Sequence, residues 1–391
     1  MYIVELLFWI SLSIIVYTYL GYGIVLYLLV KIKELFSPRK TGQLPDELPE
    51  ITLLIAAFNE ELVVEEKMKN CSSLNYPTDK LHIYWVTDGS NDNTNALLAN
   101  YPEVTTLYEP AREGKTAALN RALPFIKTPF VVFTDANTML NADAIREIAI
   151  CFVDEKVGCV AGEKRVALQE KGNAATSGEG IYWKYESVLK ELDARLHTAV
   201  GAAGELFAIR THLFETMDKD TLLDDFILSL RIVQKGYKID YCSKAYAVEG
   251  GSASIRDEKK RKVRIAAGGI QSIGRLKSLL NPFKHGILTF QYVSHRVLRW
   301  SITPILLFLL LPINIALVAL HAAPIYLFIL AAQLLFYLLG LGGYYLSTKE
   351  IKNKVLYIPY YFLFMNSCVI EGFFYVQKKK GTGVWEKSKR A

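Results

Sequence analysis

The sequence predicts an α/β fold: a domain with a mostly parallel central sheet, flanked by transmembrane and interfacial α-helices. Three observations predict it. Apolar residues crowd both ends of the 391-residue chain, while the middle reads like a soluble domain. Within that middle, apolar runs of strand length alternate with stretches of helical spacing, the pattern of parallel βαβ units. Between the middle and the C-terminal apolar segments lies a basic stretch interleaved with Ile and Leu, the composition of helices in a lipid headgroup layer. A chain of this length holds two or three structural units and a sizeable core. With 51% hydrophobic and 21% charged residues, a net charge of +6 and a mean hydropathy of +0.20, disorder, collagen and small disulfide scaffolds are excluded.

Residues 1–36 are the first apolar end, interrupted only by Glu5, Lys31, Lys33 and Glu34. They exceed the roughly 20 residues that a spanning helix needs. There is no basic n-region and no obvious small-residue cleavage site, which argues against a signal peptide. Lys31, Lys33, Arg39 and Lys40 put the following segment in the cytosol by the positive-inside rule, leaving the N-terminus outside. Residues 37–250 are therefore expected as a cytosolic domain of a cell-membrane protein.

In that domain, residues 51–58 are an apolar run that stops at Asn59-Glu60-Glu61, and residues 62–74 have helical spacing. Residues 81–86 form a second strand, ending at Asp88-Gly89-Ser90, and a helix passes through 96–100. Residues 104–108 are a third strand and 115–123 a helix. Residues 130–134 are a fourth strand, ending at Asp135-Ala136-Asn137.

Residues 251–300 carry Arg256, Lys259, Lys260, Arg261, Lys262, Arg264, Arg275 and Lys277 against only Asp257 and Glu258. Their isoleucines and leucines are too few to span a bilayer and suit interfacial helices. Nucleic-acid binding is the competing reading of such a run, and its position directly before a membrane anchor argues against it. Residues 301–377 hold three candidate spans, 302–320, 323–346 and 355–376, the last two separated by Lys349, Lys352 and Lys354. Three crossings from the cytosol would leave the basic tail, 378–391, outside, against the charge rule. The third candidate contains Asn366 and Glu371; lining a channel and pairing with a cation near the interface are both open for that Glu. Five cysteines without CxxC spacing suggest free thiols in a reducing compartment and no structural zinc.

Open α/β sheets bind ligands beyond the carboxyl ends of their strands. Here three successive strand ends carry Asn59 with Glu60 and Glu61, Asp88, and Asp135 with Asn137. Each alone is an ordinary turn residue; together they form an acidic rim. No GxGxxG follows the first strand and no GxxxxGK[ST] occurs, so the dinucleotide and P-loop cradles are missing. The nearest basic element, Arg112-Glu113-Gly114-Lys115, opens a helix and suits a diphosphate.

These residues resemble the membrane-integrated, inverting family-2 glycosyltransferases of GT-A fold, relatives of the cellulose, hyaluronan and poly-N-acetylglucosamine synthases. Residues 57–61 (AFNEE) resemble the first-strand signature, with Ala56 for its proline. Residues 87–94 (TDGSNDNT) resemble the loop that holds the nucleotide, with Thr87 for its first Asp. Residues 114–120 (GKTAALN) match the segment that approaches the diphosphate. The resemblance implies donor contacts from Ala57, Asn59, Glu61, Asp88, Lys115, Asn120 and Asp135. Asp135-Ala136-Asn137 stands where the family has DxD, implying Asp135 and Asn137 as ligands of Mg²⁺ or Mn²⁺ shared with the diphosphate.

Residues 200–210 resemble the segment bordering the acceptor, which implicates Gly201, Gly204 and Glu205; tight packing is the alternative use of those small residues. Residues 223–231 followed by 235–237 (KGY) resemble the TED region and its downstream elements, implying Asp225 as catalytic base and Asp224 beside the acceptor. Of the QxxRW motif of polymerising members only Arg264 is present, with Arg261 for Gln and Ile265 for Trp. Arg264 and Arg261 are then donor contacts, and an aromatic acceptor platform is missing at position 265.

Two function classes follow. One is an enzyme that moves a sugar from a nucleotide diphosphate, UDP-linked by resemblance, to a polysaccharide or lipid-linked acceptor at the membrane. The other is a catalytically silent nucleotide-sugar-binding subunit within a polysaccharide synthesis or export assembly, for which Thr87, Asn137 and the broken QxxRW speak. Retention of Asp88, Lys115, Asp135 and Asp225 favours the enzyme.

Overall fold

The first apolar segment forms one helix, α1 (Tyr2–Phe36), 35 residues long. In this computed structural model, residues 1–37, 45, 47–167, 174–251, 254–321, 323–349 and 353–378 are described. Arg39, Lys40, Lys352 and the basic tail beyond Lys378 lie outside the described residues.

Strands β1 (Ile51–Ala57), β2 (Leu81–Asp88), β3 (Val104–Glu109) and β4 (Phe130–Asp135) pair in parallel in the order β3-β2-β1-β4. Helices α2 (Val64–Ser72), α3 (Thr94–Leu98) and α4 (Lys115–Ala122) connect them. β1 and β4 read as unbroken apolar runs because both of their faces are covered. Leu54, Val86, Val131 and Phe133 pack with Leu119 on one side, and Leu53, Ile55 and Val132 pack with Met68 on the other. Strand order reverses between β1 and β4, which opens a crevice at their carboxyl ends.

The rest of the sheet comes from elements that the sequence reading did not assign. β5 (Thr138–Leu140), α5 (Ala144–Cys151), β6 (Val157–Val166), α6 (Ala174–Leu196), β7 (Leu206–Arg210), α7 (Asp224–Gln234) and β8 (Lys238–Glu249) complete eight strands. β7 runs antiparallel between β4 and β6, and β5 antiparallel to β8. The sheet is therefore mixed, with the parallel β3-β2-β1-β4 half as expected.

Helix α8 (Ile255–Arg275) is the basic amphipathic element, and α9 (Ile287–Tyr292) continues through a π turn at Val293–Val297 into Leu298–Trp300. Among the described residues, three helices are long and apolar enough to cross a membrane: α1, α10 (Ile302–Ala319) and α11 (Pro324–Thr348). The third C-terminal candidate is helical too, as α12 (Lys354–Lys378), and it packs along α8. A Cβ on Gly372 would lie 2.8 Å from that of Ala266. Glu371 pairs with Lys259 at 2.7 Å, which decides between the two uses left open for it.

α1 also docks on the α/β domain. Lys33 donates to the carbonyls of Arg195 (2.7 Å) and Leu196 (2.9 Å) at the end of α6, and Glu34 takes a two-pronged contact from Arg195 at 2.8 and 2.7 Å. A cation on the last carbonyls of a helix is a favourable C-terminal cap. All five cysteines are free thiols.

Candidate functional site

The strand ends divide into residues that build loops and residues that face a cavity. Asn59 adopts the left-handed conformation, φ 53°, which Asn tolerates better than most residues. Its side chain exchanges hydrogen bonds with Asn91: Nδ2 donates to Oδ1 (2.7 Å), and the Asn91 amide donates to Asn59 Oδ1 (2.9 Å). Glu61 accepts the Asn93 amide at 3.0 Å, and its own amide donates to Asp92 at 3.1 Å. Both residues thus pin loop 90–94 to the end of β1. Asp88 is buried and accepts the amides of Glu113 (3.0 Å) and Gly114 (2.6 Å), which orients the start of α4. Asn120 exchanges two hydrogen bonds with the Met217 backbone.

Lys115, Asp135, Gly204, Glu205, Asp224, Asp225, Arg261 and Arg264 line one cavity of about 310 Å³. Ala57, Asn59, Glu61, Asp88, Asn120, Asn137 and Gly201 are not in its lining. Lys115 comes from the first residue of α4 and Asp135 from the last of β4; they meet at 2.6 Å. Asp224 and Asp225 open α7, where negative charge is favourable. Gly204 lets the two halves close: a Cβ there would stand 3.3 Å from Lys115 Nζ and 3.4 Å from Asp225 Oδ2. Gly201 supports the same wall from behind. Its φ is +86°, and a Cβ would fall 2.1 Å from the Phe226 ring, so its role in the structure is packing.

The electrostatics separate the two aspartates from their surroundings. Burial, and then the adjacent Asp224, push the Asp225 carboxyl up to about 7, against the pull of Lys115. Among the described residues, the buried Asp224 Oδ2 has no hydrogen-bond partner. Burial disfavours the charged form of Lys115, but Asp135, Asp224 and Asp225 outweigh it and hold the ammonium above the usual lysine range. Glu205 is half-buried, and its contact with Lys164 keeps its carboxyl well below the ordinary range. Two half-buried carboxyls beside one cavity are thereby driven in opposite directions, the kind of perturbation that marks a candidate functional site.

Among the described residues there is no group of three or more His, Cys, Asp or Glu side chains able to hold an ion. Asp135 offers the cavity one carboxylate, its side chain 32% exposed and paired with Lys115, while Asn137 lies outside the lining. One such carboxylate fits a hard cation that takes most of its ligands from substrate phosphates.

The cavity also has walls that sequence reading missed. Trp183, Glu186 and Lys190 of α6, Arg296 and Trp300 at the end of α9, and Met365 and Val369 of α12 line it. Trp183, Glu186 and Lys190 recur at the i, i+3, i+7 spacing of one helix face, a signal available in the sequence. The tryptophan absent at 265 is thus matched by indoles from other elements, while Ile265 itself lines the cavity. Trp300 packs edge-on to Phe226, 5.0 Å between centroids. Behind this wall, Glu186 contacts Arg296 and also meets His295 (3.2 Å) and Arg299 (3.2 Å); His295 meets Asp193 at 2.6 Å. Asp193 in turn accepts the hydroxyl of Tyr22 on α1.

This mixed sheet, with charged strand ends beneath a cavity, recurs in a solved structure. A mannosyltransferase from Pyrobaculum calidifontis, solved in complex with GDP-Man and Mn²⁺, shares it at a TM-score of 0.73 and 21% identity, over 96% of this chain and 100% of that one. Residues 49–268 match the family described as "Glycosyltransferase like family 2", and the chain belongs to that family. A beta-monoglucosyldiacylglycerol synthase from Nostoc sp. is 28% identical over 242 residues, 59% of this chain and 51% of that protein. A poly-beta-1,6-N-acetyl-D-glucosamine synthase from Staphylococcus aureus is 28% identical over 236 residues, 57% and 55% of the respective chains. The chain spans about half the length of the curated relatives it matches.

Proposed function

We propose that this chain is a membrane-bound, inverting glycosyltransferase that moves a sugar from a nucleotide-diphosphate donor to a glycan or lipid-linked acceptor at the cytosolic face of the cell membrane. The observation that carries this reading is the meeting of Lys115 and Asp135 with Asp224 and Asp225 across Gly204 in one cavity. UDP-sugars follow from the sequence resemblance, and GDP-mannose, the ligand of the Pyrobaculum structure, is a second donor to test. Residues 37–250 form the cytosolic domain in this reading, 251–300 the interfacial helices and 301–377 the C-terminal membrane helices.

The residues divide the chemistry between them. Asp225 takes the proton of the acceptor hydroxyl, whose oxygen bonds to the sugar C1 as the C1–O bond to the diphosphate breaks. The nucleotide diphosphate leaves with the bonding electron pair, toward Lys115. One displacement with one base inverts the anomeric centre. Asp135 and Asn137 would hold Mg²⁺ or Mn²⁺, which when bound offsets charge developing on the leaving group. Arg261 and Arg264 bring further positive charge to the same cavity.

The test is release of nucleotide from UDP-sugars and GDP-mannose by the full chain with Mn²⁺ and membrane lipid, compared with Asp225→Asn. Turnover by the natural chain that the substitution abolishes, with nucleotide binding kept, is expected. Binding without turnover in both would favour a silent subunit instead.

A further inference from the structure

Lys190 is a cavity residue that the chemistry above leaves unused. It is 5% exposed and lines the cavity, yet among the described residues its ammonium has no carboxylate within salt-bridge distance and no hydrogen bond. Its ammonium lies 5.9 Å from the centroid of the Trp183 ring. Three carboxylates act on it from beyond contact: Glu186, engaged by Arg296, His295 and Arg299; Glu205, engaged by Lys164; and Asp225. Its other close influence is a like charge, Arg296, and burial together with that repulsion lowers the Lys190 pKa. A buried cation without a counter-ion is costly unless something pairs with it. Arg296 lines the same cavity with its guanidinium already paired with Glu186, so Lys190 beside it is the cation left to seat an anion.

That seat is bordered by apolar surface. Ile265 and Ala266 of α8 and Met365 and Val369 of α12 line the same cavity, and the last two are one helical turn apart, on one face. α8 is the basic amphipathic element and α12 the helix packed along it, so this side belongs to the membrane boundary. In the reading above, Lys115 and Asp135 hold the donor. A ligand filling the space between base and membrane therefore needs an anionic group, an apolar tail and a hydroxyl within reach of Asp225.

We infer that the acceptor is a membrane phospholipid whose headgroup carries both a phosphate, seated on Lys190 beside Arg296, and the hydroxyl that receives the sugar. This rests on the transferase reading above and names its acceptor class. The lipid phosphate is unchanged in the reaction: the hydroxyl proton passes to Asp225, the oxygen bonds to C1, and the donor diphosphate departs with its electron pair.

The experiment is native mass spectrometry of the full chain in detergent micelles, offered dioleoylphosphatidylglycerol, dioleoylglycerol with the same tails, or glycerol 3-phosphate as the head without tails. Expected is retention of phosphatidylglycerol about tenfold or more above either other probe, about 1.4 kcal/mol. Lys190→Gln should lose that preference and Lys190→Arg keep it, while Lys284→Gln, an exposed control, should leave it intact. Equal retention of dioleoylglycerol or of glycerol 3-phosphate by the natural chain overturns the inference. So does a preference that survives in Lys190→Gln. Donor turnover is measured separately, so its absence would count against the transferase reading and not be confused with a failure of lipid selection.

Discussion

Asp225→Asn removes one negative charge from the cavity at nearly constant volume. Loss of a general base costs about 10² to 10⁴-fold in rate, or about 3 to 5 kcal/mol of transition-state stabilisation. The pH profile carries the sharper test. With its carboxyl pushed up to about 7 by burial and by Asp224, the base is ionised only above that range. kcat/KM should therefore climb with pH, pass half of its plateau near 7 and level off above it. Its neighbours should move this limb in opposite directions. Asp224→Asn removes a charge that raises the Asp225 pKa, so the limb shifts to lower pH; Lys115→Met removes one that lowers it, so the limb shifts upward. A stability signature accompanies the kinetic one. Between about 4 and about 7 the folded chain keeps a proton that the unfolded chain has lost, so stability falls as pH rises through that window and is level above it. The shift from 3.8 to about 7 corresponds to at most about 4 kcal/mol, and Asp225→Asn should flatten the fall. Nucleotide release and thermal unfolding across about pH 5 to 9 measure both. Turnover in Asp225→Asn close to that of the natural chain, or a limb that stays at one pH in Asp224→Asn, refutes the reasoning.

Three further outcomes are expected. Gly201→Ala forces a side chain into φ +86° and against the Phe226 ring at 2.1 Å; strain of about 1–3 kcal/mol before repacking should lower the melting temperature by about 2 to 10 °C, and an unchanged melting curve would contradict it. Chelation of divalent ions should stop nucleotide release, and Asp135→Ala should raise the Mn²⁺ concentration needed for half-maximal rate; an unaffected Mn²⁺ titration would remove Asp135 as a ligand. Glu371→Gln breaks a pair whose side chains are 48% and 45% exposed, so unfolding should change by about 1 kcal/mol or less, and a larger loss would point to a buried role for that carboxylate.

Strand ends were legible because they combine two local signals, an apolar run and a polar stop. Asp88 and Asp135 close β2 and β4 where those signals change. The resemblance carried Lys115, Asp224 and Asp225 to positions that the fold then brings around Gly204. It did not distinguish residues facing the cavity from those that support it. Asn59 and Glu61 hold a loop, Asp88 orients the start of α4, and Gly201 packs under Phe226, because hydrogen-bond partners far along the chain decide which way each side chain turns. β5 to β8 escaped notice because their pairings join segments up to about a hundred residues apart, with β7 antiparallel among mostly parallel neighbours.

What the amino-acid order settled was local: where backbone is helical or extended, which segments prefer lipid, and which acidic residues sit at strand ends, since each follows from periodicity and composition within a dozen positions. What awaited the folded chain was convergence. Lys190 is an unremarkable lysine on a charged helix until α9 brings Arg296 beside it and β7 commits Glu205 to Lys164. Charge, burial and reach are properties of neighbours in space, and only packing chooses those neighbours.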